Sequence, residues 1–286
     1  MVFPEFWWIP VVVSFALCCM GFYRFVWFMS VGYGLSSAGI GLCMLVMSAL
    51  GGQFHWLYAV HCLLFVIYGI RLGGFLLLRE LKNAKYREKM RQVGGDVKVP
   101  VFVAVFMWAY CGFIYVMQAS GLVYRYFNGV ASSPKVFAYI GCIISLIGML
   151  TEAFADRQKS AQKKENPDMP AMKGLYKLSR CPNYFGEIMF WTGVFISGIG
   201  ALKGLQWLVA AIGYIEILGV MLSGAKRVEG RHIKNYGNNP EYQRYADTTP
   251  LLFPFVPLYH MTSPEKLAKE EAAKKAKAEK RGQKRG

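Results

Sequence analysis

Residues 172–191 read MKGLYKLSRCPNYFGEIMFW. This stretch decides the fold class because it joins a basic, water-loving segment to a greasy one. Pro182 fits the first position of a helix, where its missing N–H costs nothing and its ring pre-sets φ. Ser179, Arg180 and Cys181 stand immediately before it. A helix start presents unpaired N–H groups and a partial positive charge. With Lys173, Lys177 and Arg180 alongside, it reads as an anion seat of the kind phosphates use. The same residues also suit a capped helix inserting into a membrane with an ordinary basic flank. Asn183 and Glu187 follow, four apart and on one helical face.

The composition agrees with a membrane. Of the 286 residues, 55% are hydrophobic, more than a soluble domain with such long apolar runs carries. The net charge is +16 although only 17% of residues are charged, so the positive charge is concentrated. Basic loops of a membrane protein explain this more simply than nucleic-acid binding does. Cys18, Cys19, Cys43, Cys62, Cys111 and Cys142 lie inside apolar runs, and only Cys181 sits at an edge. This spacing argues against a disulfide framework and against a metal site. The first apolar run lacks a basic flank ahead of it and a small-residue cleavage site behind it, so it reads as a retained span.

Outward from the opening stretch, seven apolar runs approach the ~20 residues that a membrane helix needs: about 6–28, 34–52, 56–78, 100–120, 135–155, 185–202 and 205–223. The second and sixth are rich in glycine and small residues, which suits close helix packing. Basic residues crowd 79–99, 156–184 and the region after 224, while the alternate connections are poor in charge. The positive-inside rule therefore puts those three segments in the cytosol, with the C-terminus. The sequence predicts an all-α polytopic membrane bundle of about seven transmembrane helices with a cytosolic polar end. It falls into residues 1–120 (N-terminal helices), 121–258 (C-terminal transmembrane domain) and 259–286 (a basic low-complexity tail).

Polar residues inside apolar runs are the candidates for chemistry, because they are expensive there. In the third run His61, Tyr68, Arg71 and Arg79 share one broad helical face. Arg79 suits snorkelling to the interface, whereas Arg71 lies about two turns deeper. His61 reads first as a satisfied packing histidine. Glu152 and Asp156 close the fifth run, four apart, placed to pair with Arg71 or Arg180 or to hold a ligand. Glu216 in the seventh is either a ligand contact or a packing partner. Beyond it Arg227, Glu229, Arg231, His232, Tyr236, Tyr242, Arg244 and Tyr245 have the composition of a polar wall for phosphate and a planar ring, or of a collar for anionic lipid. No GxGxxG after a strand, Walker loop, HExxH or GxSxG is present.

Three blocks, TEAFADRQK (151–159), GLYKLSRCPNYFGEIMFW (174–191) and VEGRHIKNYGNNPEYQRYADTTPLLFP (228–254), together resemble the steroid 5α-reductase superfamily, in its branch of integral-membrane proteins carrying the steroid 5α-reductase C-terminal domain. The resemblance implies a seven-helix bundle of the endoplasmic reticulum or a bacterial inner membrane. It implies NADPH bound from the cytosol and hydride transfer to a conjugated carbon–carbon double bond of a steroid or other lipid. Carried over by motif, Glu152, Asp156, Asn183 and, more loosely, Arg180 would contact the cofactor. Tyr236, Tyr242 and Arg244 would line its phosphate or adenine end. Glu187 falls at a matched position and would hold the helix or the cofactor. Tyr68 would polarise the substrate carbonyl, with Arg71 beside it. Cys181 stands where many relatives have histidine, and the glutamine–glutamate element before the second span has no counterpart, since no acid follows Gln53. Two other readings compete. One is an S-adenosylmethionine-dependent membrane methyltransferase, whose helix start Arg180, Pro182 and Tyr184 fit. The other is a lipid-binding scaffold without catalysis. The partners expected are a lipid or steroid substrate and the membrane, and no nucleic acid.

Overall fold

The computed structural model describes residues 1–82, 99–130, 135–269 and 272–273. The basic residues expected in the loop 83–98, the side chain of Arg79 and most of the tail after 269 lie outside the described residues. The chain is all-α, and no strand occurs among the described residues. Its helices are α1 (Trp8–Cys18), α2 (Met20–Tyr23), α3 (Val31–Leu50), α4 (Trp56–Lys82), α5 (Val101–Gln118), α6 (Ser120–Phe127), α7 (Lys135–Glu165), α8 (Pro182–Ser197), α9 (Gln206–Tyr236) and α10 (Pro240–Thr248). Five of them, α3, α4, α5, α7 and α9, are long and apolar enough to cross a membrane.

The seven apolar runs all become helical, but two fall short of a spanning helix. In the first, Cys19 and Phe22 take tight i→i−3 hydrogen bonds to Ala16 and Cys19. Arg24 then turns extended, at φ −142° and ψ 119°, and ends the run. In the sixth, α8 begins at Pro182, as the proline requires, but stops at Ser197 and not at 202. The reason is at its C-terminus. The buried Arg125 donates Nε (2.9 Å) and Nη2 (2.5 Å) to the Ser197 carbonyl, capping the negative end of the helix. The chain then turns through Gly200 and Gly204, both at positive φ. At 16 residues α8 is about 24 Å long by its rise per residue, short of the ~30 Å hydrocarbon core.

Two compact units divide the chain: Met1–Ile147 with Met189–Ile217, and Gly148–Ile188 with Leu218–Gly286. In the first unit α3 packs along α4, and α1 against α3 and α5. The α3–α4 seam is made of glycines, as the composition of the second run predicts. A Cβ on Gly34 would sit 2.5 Å from the Gly73 nitrogen, and one on Gly69 would sit 2.5 Å from the Ala38 nitrogen. Neighbouring backbone cannot move aside as a flexible side chain can. Gly69→Val is therefore expected to force the two helices apart and destabilise the protein by about 1–3 kcal/mol, the usual cost of overpacking. Thermal unfolding in detergent measures this, and an unchanged midpoint would show that the seam yields.

The same unit settles the role of Glu216. Tyr110 donates its hydroxyl to Oε1 at 2.8 Å and Gln118 donates Nε2 to Oε2 at 2.6 Å. Glu216 is thus the packing partner that ties α9 to α5. Neighbouring Tyr214 stacks on Phe195, with centroids 4.8 Å apart, and shares a 2.8 Å hydrogen bond with Thr192. His61 is buried and lies 3.5 Å from the Ser145 hydroxyl, which fits its reading as a packing histidine.

In the second unit the chain leaving α7 doubles back along it. Gln162 Oε1 accepts from Met172 N and Lys173 N, both at 2.9 Å, and Gln158 Oε1 accepts from Leu175 N at 2.9 Å. Two side chains one turn apart thus hold the returning segment 172–175. Gly174 sits among them at φ +68°, where a Cβ would meet the Gln158 side chain at 2.5 Å. The start of α8 then lies against α7 at Gly186, whose Cβ would sit 2.6 Å from the Glu152 nitrogen.

Candidate functional site

The three sequence blocks meet in the second unit. The contacts run antiparallel along α7: Gln162 with residues 172–173, Gln158 with Leu175, and Glu152 with Gly186. Asp156 lies one turn beyond Glu152 on α7, and Asn183 nearly one turn before Gly186 on α8. Both are half-buried, while Glu152 and Glu187 are buried at 3% and 6% exposure. The carboxylates and the amide expected from the sequence therefore come from two helices in close contact.

The third block closes over this start of α8. Arg180 N donates to Pro250 O at 2.8 Å, and the Ser179 hydroxyl to Leu252 O at 2.8 Å. Helix α10 is set by Asn239, whose side chain accepts from Glu241 N (2.8 Å) and Tyr242 N (3.4 Å), with Pro240 at the first helical position. That orientation buries Tyr242 and leaves Arg244, two residues on, exposed on the opposite side of the helix. Tyr236 accepts a 2.8 Å hydrogen bond from Lys163 Nζ, which also lies 5.1 Å from its ring centroid. Arg244 faces solvent, and the only one of these three side chains packed into the unit's interior is Tyr242.

Arg180 has an occupation the sequence did not disclose. Its Nε donates to Thr249 O at 3.2 Å, and its Nη2 donates to Glu229 Oε1 at 3.1 Å and to the Tyr259 carbonyl. Glu229 is fully buried and also accepts from Met261 N (2.9 Å) and Thr262 N (3.0 Å). His260 Nδ1 lies 3.2 Å from the same carboxylate. The expected pairing of Arg180 with Glu152 or Asp156 gives way to this one. Arg180 and Glu229 form a clamp that fastens the segment after α10 to the start of α8.

One residue that sequence reasoning did not single out, Tyr176, stands at the centre. Tyr176 is buried, and its hydroxyl has no hydrogen-bond partner among the described residues. Its backbone carbonyl accepts from Tyr245 Oη at 2.6 Å. Burial, with the Asp156 charge next, raises the Tyr176 hydroxyl above the usual phenol range. Burial likewise pushes the Cys181 thiol up to about 11, against the opposing pull of Lys159 and Arg180. With its thiol raised, Cys181 adds no charge to this cation-rich surrounding at neutral pH. That is the chemical consequence of cysteine where histidine is expected. The charges of Lys159 and Arg231 both act on Cys181, and those of Arg231 and Arg227 on Tyr184. Cations thus surround the start of α8, with Lys173 and Lys177 exposed beside it.

In the first unit, Tyr68 is fully buried, stacked on Phe190 with centroids 4.0 Å apart and planes 9° apart. The Arg71 guanidinium carbon lies 6.0 Å from the Tyr68 ring centre. Tyr33 was not singled out, yet its hydroxyl is 3.0 Å from that of Tyr68. Gln53 instead caps a loop, with its carbonyl accepting from the Ser48 hydroxyl at 3.0 Å.

A helical polytopic membrane protein with a polar, cation-rich cluster at one helix start is the class these features define. Residues 25–249 match the family described as protein of unknown function (DUF1295), and the chain belongs to that family. No curated protein and no solved structure matches it.

Proposed function

We propose that the chain is a membrane-embedded, NADPH-dependent reductase of the steroid 5α-reductase type, acting from the cytosolic face of the endoplasmic reticulum or a comparable membrane. Its substrate is a steroid or other lipid with a conjugated carbon–carbon double bond. The observation that carries this reading is the convergence of all three resemblance blocks on the start of α8, around the Tyr176 hydroxyl, which has no partner among the described residues.

The residues there suit a dinucleotide phosphate. Tyr176 offers a buried hydroxyl for a hydrogen bond, and burying such a group without a partner is costly. The exposed cations Arg227, Arg231, Lys173 and Lys177 suit phosphate oxygens. Asn183 offers an amide with two donors and an acceptor, and Asp156 and Glu152 offer acceptors for ribose or amide groups. Glu187 holds the α8 face beside them. When bound, NADPH supplies the hydride. The protein's own part is to orient, to exclude water and to give a proton. Tyr68 is the proton donor to the carbonyl oxygen as negative charge develops there, and the Arg71 cation lowers the cost of charge on the tyrosine oxygen.

Binding of NADPH, NADH and S-adenosylmethionine to detergent-solubilised protein tests this reading. Saturable, NADPH-preferring binding is expected. Asp156→Ala and Asn183→Ala are each expected to weaken it about 10–100-fold, the worth of one or two hydrogen bonds to a charged or polar ligand. Preference for S-adenosylmethionine would replace the reading with a methyltransferase, and binding of none of the three would leave a lipid-binding scaffold.

A further inference from the structure

The geometry points to Tyr33 as a positioning residue that donates a hydrogen bond to Tyr68, in a hydrogen-bond relay oriented by Trp191. This rests on the reading of Tyr68 as the proton donor of the proposed reduction. It adds two residues and an orientation.

Trp191 Nε1 lies 2.6 Å from the Tyr33 hydroxyl, and the Tyr33 and Tyr68 hydroxyls are 3.0 Å apart. An indole nitrogen carries a hydrogen and has no lone pair to offer, so it can only donate. The Tyr33 oxygen is therefore an acceptor in the shorter bond. A hydroxyl that accepts a hydrogen bond becomes a stronger donor through mutual polarisation, most of all where the surroundings are apolar. All three residues are buried: Tyr33 is 7% exposed, Trp191 2% and Tyr68 0%. With Trp191 donating to it, Tyr33 keeps its own hydrogen to give, and this arrangement favours the direction Trp191 to Tyr33 to Tyr68.

The neighbours hold this arrangement in place. Tyr115 packs on Tyr33 with ring centroids 5.2 Å apart, but its own hydroxyl donates to Phe28 O at 2.6 Å. Its proton is thereby directed away from Tyr33. The Tyr68 ring is fixed by its stack on Phe190 and by an edge contact with Trp191 at 6.0 Å and 87°. Phe190 and Trp191 are adjacent in sequence and lie on α8. One turn of α8 thus clamps the Tyr68 ring and orients the proton behind it.

The chemical consequence concerns the step in which Tyr68 loses its proton. The hydride and its electron pair go to the β-carbon of the enone, and the π electrons move to the carbonyl oxygen. That oxygen takes the proton from Tyr68 Oη, which is left with the electron pair of the broken O–H bond. A donor already aimed at Tyr68 Oη meets that charge without rearrangement, as preorganised donors do at any developing oxyanion. Tyr33 acts through Tyr68 and does not itself touch substrate.

The direction of the relay is readable without substrate. In protein carrying carbon-13 at the tyrosine Cζ, Tyr33→Phe and Tyr68→Phe identify the two signals by their loss. A phenol's Cζ moves downfield when its hydroxyl donates more strongly and upfield when its oxygen accepts. If Tyr33 donates to Tyr68, Tyr33→Phe removes an accepted bond and moves the Tyr68 signal downfield. Trp191→Phe moves it in the same sense by less. An upfield shift of Tyr68 in Tyr33→Phe, or no change in either variant, overturns the relay. Once an enone substrate is found, Tyr33→Phe is expected to reduce turnover about tenfold, the worth of one hydrogen bond to a charged group, with NADPH binding unchanged. Turnover unaffected by Tyr68→Phe would sink the assignment of Tyr68 as proton donor, while the carbon-13 shifts report on the relay separately.

Discussion

Arg180→Ala is expected to lower the stability of the protein by about 3–5 kcal/mol, the cost of leaving a buried charge without its partner. The side chains of Arg180 and Glu229 are 2% and 0% exposed, and their bond is 3.1 Å. Removing the guanidinium strands the Glu229 carboxylate and also takes the donor from Thr249 O and Tyr259 O. The segment after α10 loses its fastening to the start of α8. A lower unfolding midpoint in detergent and earlier protease cleavage after residue 248 are the expected readouts. Arg180→Met combined with Glu229→Gln should lose less than the sum of the single changes, because neither charge is then left alone. An unchanged midpoint with weakened NADPH binding would make Arg180 a cofactor contact, as the family resemblance implies, and not a clamp.

Tyr68→Phe carries the second large effect. It removes one oxygen and keeps the ring on Phe190, so the fold should hold. On the reductase reading, turnover of an enone lipid is expected to fall about 10²–10⁴-fold, the range for loss of a positioned proton donor. NADPH affinity should be unchanged, since on that reading the hydroxyl acts on the substrate oxygen. Single-turnover oxidation of bound NADPH is the measurement. A drop in binding with an unchanged rate would move Tyr68 from the chemistry to the architecture.

These two residues mark how far the sequence could be read. Apolar runs and basic flanks are local properties, and they correctly set the all-α class and the long helices. Pro182 starts α8 because proline can stand there and cannot stand further in. The glycines of the second run forecast a tight seam, and Gly34 and Gly69 form it against α4 and α3. The length of α8 was not legible, because its end is set by Arg125, seventy-two positions away from Ser197. Among the described residues five helices are long enough by themselves to cross a membrane, for that reason and because the first run ends at Arg24.

The candidate site divides the same way. Asp156 and Asn183 could be picked from their spacing at helix ends, and α7 and α8 do bring their turns together. Tyr176 could not, because a tyrosine in a basic loop gives no sign of being buried with an unmatched hydroxyl. Glu216 gave two readings from sequence, and only Tyr110 and Gln118, on another helix, chose between them. Arg180 was visible as a cation at a helix start, but a cation takes whichever acceptor the fold presents, and here that is Glu229.

What the sequence determined alone was what depends on neighbours along the chain: which segments are apolar enough for a membrane, where proline starts a helix, which faces carry small residues, and which acids and amides share a helical turn. The tertiary structure decided every pairing. It set Tyr33 against Tyr68 across 35 residues and Trp191 against Tyr33 across 158. The physical reason is range. Hydropathy and backbone preference act within a few residues, whereas a hydrogen bond is fixed by the donor and acceptor that packing brings within about 3 Å.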